Sequence, residues 1–142
     1  MDVPHKKILT IPVAITTYDD TAQRIIKATR ESTGKYVCVS NVHMCMEAFD
    51  CAEFNRVVIN ADLVVPDGVP LVWALKALGE KQASQVRGSD LMIRLCEEAQ
   101  ASNIPIGLYG GTPDSLVDLR TLLINASYRS KLSITSCARI KR

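Results

Sequence analysis

The stretch Asn60-Ala-Asp-Leu-Val-Val-Pro-Asp-Gly-Val-Pro-Leu-Val-Trp73 decides the fold of this chain. Leu63 to Val65 reads as a buried strand that runs straight into a Pro-Asp-Gly turn and then a helix. Strand followed at once by helix is the unit of open α/β sheets, and it sets Asp67 at the strand's carboxyl end. Ligands bind at that edge, because strand ends and helix amino ends meet there. Gly68 removes side-chain bulk beside the carboxylate, and the helix offers free N–H groups and a positive dipole end. An acid so placed can serve as a general base, accept a ligand hydroxyl, or cap the helix.

Working outward, strands and helices alternate without a long linker. Ile8 to Ile15 is expected as a strand broken at Pro12. Thr17-Tyr-Asp-Asp20 resembles a capping box, and the helix after it carries Tyr18, Ala22, Ile25, Ile26 and Thr29 on one face and stops at Gly34. Tyr36 to Ser40 is a strand; a helix runs from Asn41 through Met44, Cys45 and Ala48, and a second spans Ala52 to Ile59. The helix after Gly68 should end at Gly79, with Trp73 filling the core. Ser89 is the expected cap of the next helix, whose buried stripe is Leu91, Leu95, Cys96 and Ala99. Ile104 to Tyr109 and Lys131 to Thr135 read as strands. Between them Thr112 caps a helix that opens with Pro113. This alternation predicts a parallel α/β sheet in one domain over residues 1–142.

The global numbers fit a single domain of ordinary size: 142 residues, 47% hydrophobic and 23% charged. Seventeen basic against fifteen acidic side chains give +2, too near balance to call for nucleic acid. Cys38, Cys45, Cys51, Cys96 and Cys137 form no CxxC pair and read as reduced cytoplasmic thiols. His5 and His43 do not stand at ligand spacing to a cysteine pair, so neither zinc nor another metal is expected, and no cofactor. Met1-Asp-Val-Pro-His-Lys-Lys7 is too polar for a signal peptide, and no apolar run spans a membrane.

Four places carry candidate chemistry. Asp67 is one. Asn41 follows a strand and is either a sugar-facing amide or a helix cap. Arg87, in Gln85-Val-Arg-Gly-Ser-Asp90, sits beside a helix start, where it would bind phosphate or remain a solvated loop arginine. Gly110-Gly111 could bring backbone amides to a phosphate or ribose, although the spacing is not GxGxxG. His43 is read as a partly buried, hydrogen-bonded histidine, and Met44 and Met46 as core packing.

In order along the chain, Val39-Ser40-Asn41, Asn60-Ala-Asp-Leu-Val-Val-Pro-Asp-Gly68, Val86-Arg-Gly-Ser-Asp-Leu91 and Leu108-Tyr-Gly-Gly111 resemble the WecG/TagA/CpsF family of bacterial glycosyltransferases. The resemblance implies a Rossmann-like parallel sheet flanked by helices. It implies transfer of an N-acetylhexosamine from a UDP-sugar to a polyprenyl-diphosphate-linked sugar, in cell-surface polysaccharide synthesis at the inner face of the membrane. Carried over, Asp67 is the general base and Asn41 its catalytic neighbour; Ser40, Gly68, Arg87, Gly110 and Gly111 bind substrate. Val39 stands where the family often has Thr, and Gln85 where it commonly has Arg. Family members also continue through further strands. The expectation is therefore a domain truncated at its carboxyl end, with residues 136–142 as an irregular tail, prone to homo-oligomerise and weak in UDP binding. The competing readings are an inactive remnant or partner-binding α/β module, and a nucleotide-binding protein of another kind.

Overall fold

The structure, a computed structural model, describes residues 3–31, 34–125 and 132–135. Its amino end is a hairpin where one interrupted strand was expected. β1 (His5–Ile8) and β2 (Ile11–Ala14) pair antiparallel, Ile8 opposite Ile11 and His5 opposite Ala14. Leu9 and Thr10 make the turn, and Leu9 takes a φ of 53°. Such turns are normally announced by Gly, Asn or Asp, and this one carries none, so the sequence pattern hides it.

α1 (Tyr18–Ala28) starts as its capping pattern requires, with Thr17 Oγ1 accepting the Asp20 N–H at 3.3 Å. It ends at Thr29, well before Gly34. β3 (Val37–Ser40), α2 (Val42–Asp50), α3 (Ala52–Ile59) and β4 (Leu63–Pro66) then form a strand–helix–helix–strand unit. β3 and β4 run parallel, in register from Val37 opposite Leu63 to Ser40 opposite Pro66. Asn41 and Asp67 therefore leave the sheet side by side. Every residue of β4 is buried, as a strand covered on both faces must be.

α4 (Val69–Ala77) leaves directly from Gly68, and α5 (Gly88–Ala101) follows a loop. α5 opens at Gly88, so Ser89 lies inside the first turn and does not cap it. One core joins Ile11 and Val13 of β2, Val64 of β4, Cys45 and Ala48 of α2, Val58 of α3, and Leu71, Val72 and Leu75 of α4. Full burial of a valine or leucine side chain contributes about 1.5–3 kcal/mol, so this cluster is the main source of cohesion. Trp73 is not in it: the indole is 67% exposed. Val-Pro-Leu-Val-Trp-Ala-Leu is apolar on every side, so its pattern selects no buried face. Met46 and His43 are likewise exposed, the latter facing Glu47 at 3.7 Å.

The chain divides into two compact units, Met1–Met92 and Ile93–Arg142. The second holds most of α5, β5 (Ile106–Tyr109), α6 (Pro113–Asn125) and β6 (Leu132–Thr135). β5 and β6 are parallel, Ile106 opposite Leu132, and α6 connects them. Cys96, Leu108, Leu116 and Leu123 form its apolar cluster. Parallel pairs joined through helices are the α/β architecture the alternation predicts. Lys131 and residues 136–142 lie outside the described residues. Among the described residues no helix is long and apolar enough to cross a membrane.

Candidate functional site

Asp67 is held from three sides. Its N–H extends the strand pairing by donating to the Ser40 carbonyl at 2.8 Å, and its own carbonyl accepts the Gln85 side-chain amide. Its carboxylate Oδ1 accepts the Gly88 N–H at 3.1 Å, at the first residue of α5. The cap of α4 is Gly68, with no side chain in the role, so Asp67 does not cap the helix that follows it. Part of the capping expectation survives in another form: the carboxylate satisfies an orphan amide of α5. The side chain is half-buried, and among the described residues Oδ2 takes no hydrogen bond.

The loop before α5 wraps this acid. Ser84 Oγ donates to Thr16 O at 2.9 Å, and the Val86 N–H donates to Pro66 O at 2.8 Å. The Arg87 N–H reaches the Tyr18 hydroxyl at 2.9 Å, and that hydroxyl donates to Asp90 Oδ2 at 3.2 Å. With Gln85 and Gly88, each residue from Ser84 to Gly88 donates one bond to a fixed acceptor. A Cβ at Gly88 would stand 3.2 Å from Val39 Cγ1, so a side chain there would require the valine to give by a few tenths of an ångström. Gly68 is also close-set, its notional Cβ 3.5 Å from Asn41 Cβ.

Asn41 caps α2, its Oδ1 accepting the Met44 N–H at 3.0 Å, while the residue stays exposed beside Gly68. Ser40 is fully buried, its hydroxyl 3.8 Å from Cys45 Sγ; it supports the edge from beneath. Burial raises the Cys45 thiol above its ordinary value, a shift the Ser40 contact opposes. The Arg87 side chain is 59% exposed, 3.8 Å from Asp90, a loose pair that a bound anion could replace. Gly110 and Gly111 make their own turn in the second unit, with φ of 109° and 69°. Behind them Thr112 Oγ1 accepts the Ser115 N–H at 3.2 Å, the cap the sequence predicts for α6.

The residues sequence reasoning missed are Tyr18, Gly88 and Thr16. Thr16 Oγ1 donates to Asp20 Oδ2 at 2.9 Å, and Arg24 Nε meets the same oxygen at 2.7 Å. The Arg24 hydrogen bond, opposed by burial and helped by Thr16, holds the Asp20 carboxyl below its usual range. This network fixes the start of α1, and with it Tyr18. A cavity of about 320 Å³ opens elsewhere, at the amino end of β4, lined by His5, Pro12, Ala14, Asp62 and Leu63 among others. There Asp62 Oδ2 accepts the Tyr36 N–H at 3.1 Å, and His5 Nδ1 lies 3.2 Å from Val3 O. Among the described residues no three His, Cys, Asp or Glu side chains gather as a metal site.

Two comparisons bear on this edge. A protein of Bacillus spizizenii named N-acetylglucosaminyldiphosphoundecaprenol N-acetyl-beta-D-mannosaminyltransferase is 26% identical over 80 residues, 56% of this chain and 31% of that protein. The match thus spans about a third of the relative's length. The model of the glycosyl transferase WecG/TagA/CpsF family matches residues 6–137, which include the strand–acid–helix junction, the wrapping loop and the glycine turn. This chain belongs to the glycosyl transferase WecG/TagA/CpsF family.

Proposed function

We propose that this chain carries the acceptor-activating site of a glycosyltransferase that moves an N-acetylhexosamine from a UDP-sugar to a polyprenyl-diphosphate-linked sugar, for cell-surface polysaccharide. The observation that carries this reading is Asp67. Its backbone is locked between β3 and the wrapping loop, one carboxylate oxygen is tied to Gly88, and the other meets no protein donor among the described residues. A carboxylate held in this way needs no reorganisation to accept a proton. The acceptor hydroxyl gives its proton to Asp67 as its oxygen bonds to the anomeric carbon. The bond from that carbon to the phosphate oxygen breaks, its electron pair leaves with UDP, and one displacement inverts the centre. Asn41 would hold the sugar beside the acid, and Arg87 would take a phosphate. The relative's name speaks of a diphosphoundecaprenol-linked acceptor, which supports that acceptor class and work at a membrane surface.

Asp67→Asn tests the assignment, since it keeps the shape and the Gly88 bond but removes basicity. Turnover should fall ~10²–10⁴-fold with the fold unchanged by circular dichroism. Transfer at the parent rate would remove Asp67 from the role. A second reading, a partner-binding module without turnover, is favoured by the exposed Met46, Phe49 and Trp73. It predicts no UDP binding in calorimetry and no transfer by the unsubstituted chain.

A further inference from the structure

We infer that the Tyr18 hydroxyl is a positioning group for the Asp67 edge, fixing the start of α5 so that the Gly88 N–H stays on the carboxylate and Arg87 stays beside it. The catalytic part of this inference rests on the function proposed above; the structural part does not.

Arg87 is the cap residue of α5, its carbonyl accepting the Leu91 N–H at 2.9 Å. Asp90 stands three residues on, where the acid of a capping box reaches back to the cap's own N–H. Here the box is not closed directly. The Tyr18 phenol stands in its middle, accepting from the Arg87 N–H at 2.9 Å and donating to Asp90 Oδ2 at 3.2 Å. A local motif has been opened and bridged by a residue 69 to 72 positions away. The bridge ties α5 to the start of α1, which is itself fixed by the Thr17 cap and the Thr16–Asp20–Arg24 network.

The geometry makes the bridge consequential. Val86 and Gly88 bond the end of β4, while Ser84 and Arg87 bond the start of α1. The Gly88 N–H stands 3.1 Å from Asp67 Oδ1, so a shifted helix start changes that bond directly. Without the phenol oxygen, Asp90 can fold back onto the Arg87 N–H and close an ordinary box. That moves the first turn of α5 relative to Asp67 and swings the Arg87 side chain. Displacements of an ångström at a reacting group are enough to cost turnover.

The test is Tyr18→Phe in the full chain, which keeps the ring and removes only the oxygen. In amide hydrogen exchange, Val86, Arg87 and Gly88 should exchange roughly 3- to 10-fold faster, the consequence of one lost hydrogen bond, while β3 and β4 amides do not change. In the transferase assay, kcat should fall about 10-fold, as expected for a misplaced base, and the donor KM should rise as the displaced Arg87 loses its phosphate. Unchanged exchange at 86–88, or a rise spread evenly over the first unit, overturns the positioning role. So does a parent-level kcat in a chain whose unsubstituted form transfers sugar. An unsubstituted chain that transfers nothing counts against the proposed function alone, and the exchange pattern still decides the bridge.

Discussion

At Asn41 one side chain faces two demands. Its Oδ1 caps α2 by accepting the Met44 N–H, and the residue is exposed, its Cβ beside Gly68. The two ends separate by substitution. Asn41→Ala should cost ~0.5–2 kcal/mol of unfolding free energy in urea titration, the usual loss for a removed cap. Asn41→Ser restores a capping oxygen and should restore stability, yet lacks the amide donor, so turnover should stay roughly 3- to 10-fold low. A serine variant with full turnover would leave the cap as the whole role. Asn41 and Asp67 were both legible in the sequence, because each follows an apolar run at a point where a strand must give way to a helix. Tyr18 and Gly88 were not. Gly88 lies close to Val39, and Tyr18 acts on residues some seventy positions on; neither closeness leaves a periodic trace.

Within α4 the sequence is informative about existence and silent about orientation. Pro70 in the first turn and Gly79, with a φ of 98°, just past the end mark its limits. Apolar residues on every side, however, give no signal for which face is buried. The structure places Leu75 fully inside the core and leaves Trp73 outside. Leu75→Ala should therefore cost ~2–5 kcal/mol, while Trp73→Ala should change stability by no more than ~0.5 kcal/mol, both read by denaturant unfolding followed with circular dichroism. The sequence holds one tryptophan, so intrinsic fluorescence gives an independent check. The native emission should already resemble that of water-exposed indole and shift little on unfolding. A blue, buried emission that moves red on unfolding would contradict the orientation. The hairpin of β1 and β2 shows the complementary limit: Ile8 to Ile15 read as one strand, because His5-Lys-Lys7 of β1 is polar and exposed and the turn residues Leu9 and Thr10 carry no turn chemistry.

For the molecule as a whole, the parallel α/β architecture followed from alternation of elements, whereas its division into two units did not. No linker, composition change or charge run marks Met92 and Ile93, because the boundary falls inside a continuous helix. What distinguishes the units is the size of their cores. The first draws on β2, β4 and three helices; the second rests on Cys96, Leu108, Leu116 and Leu123, with Ile106 and Leu119 packed against them. Local stability follows buried apolar contact, so the second unit should open at lower free energy than the first. The cysteines offer one buried reporter in each. Cys45 is 3% exposed in the first core and Cys96 is 2% exposed in the second, and burial raises both thiols, Glu97 adding to the shift at Cys96. Neutral and covered, neither should react with a thiol reagent in the folded chain. Cys51 is exposed, Cys38 half-buried, and Cys137 outside the described residues, so replacing these by alanine or serine leaves the two reporters alone. With rising urea, Cys96 should become reactive at a lower concentration than Cys45. Simultaneous reaction of the two thiols would show the clusters melting as one cooperative body, and the smaller core would then be supported by something other than its own apolar contacts.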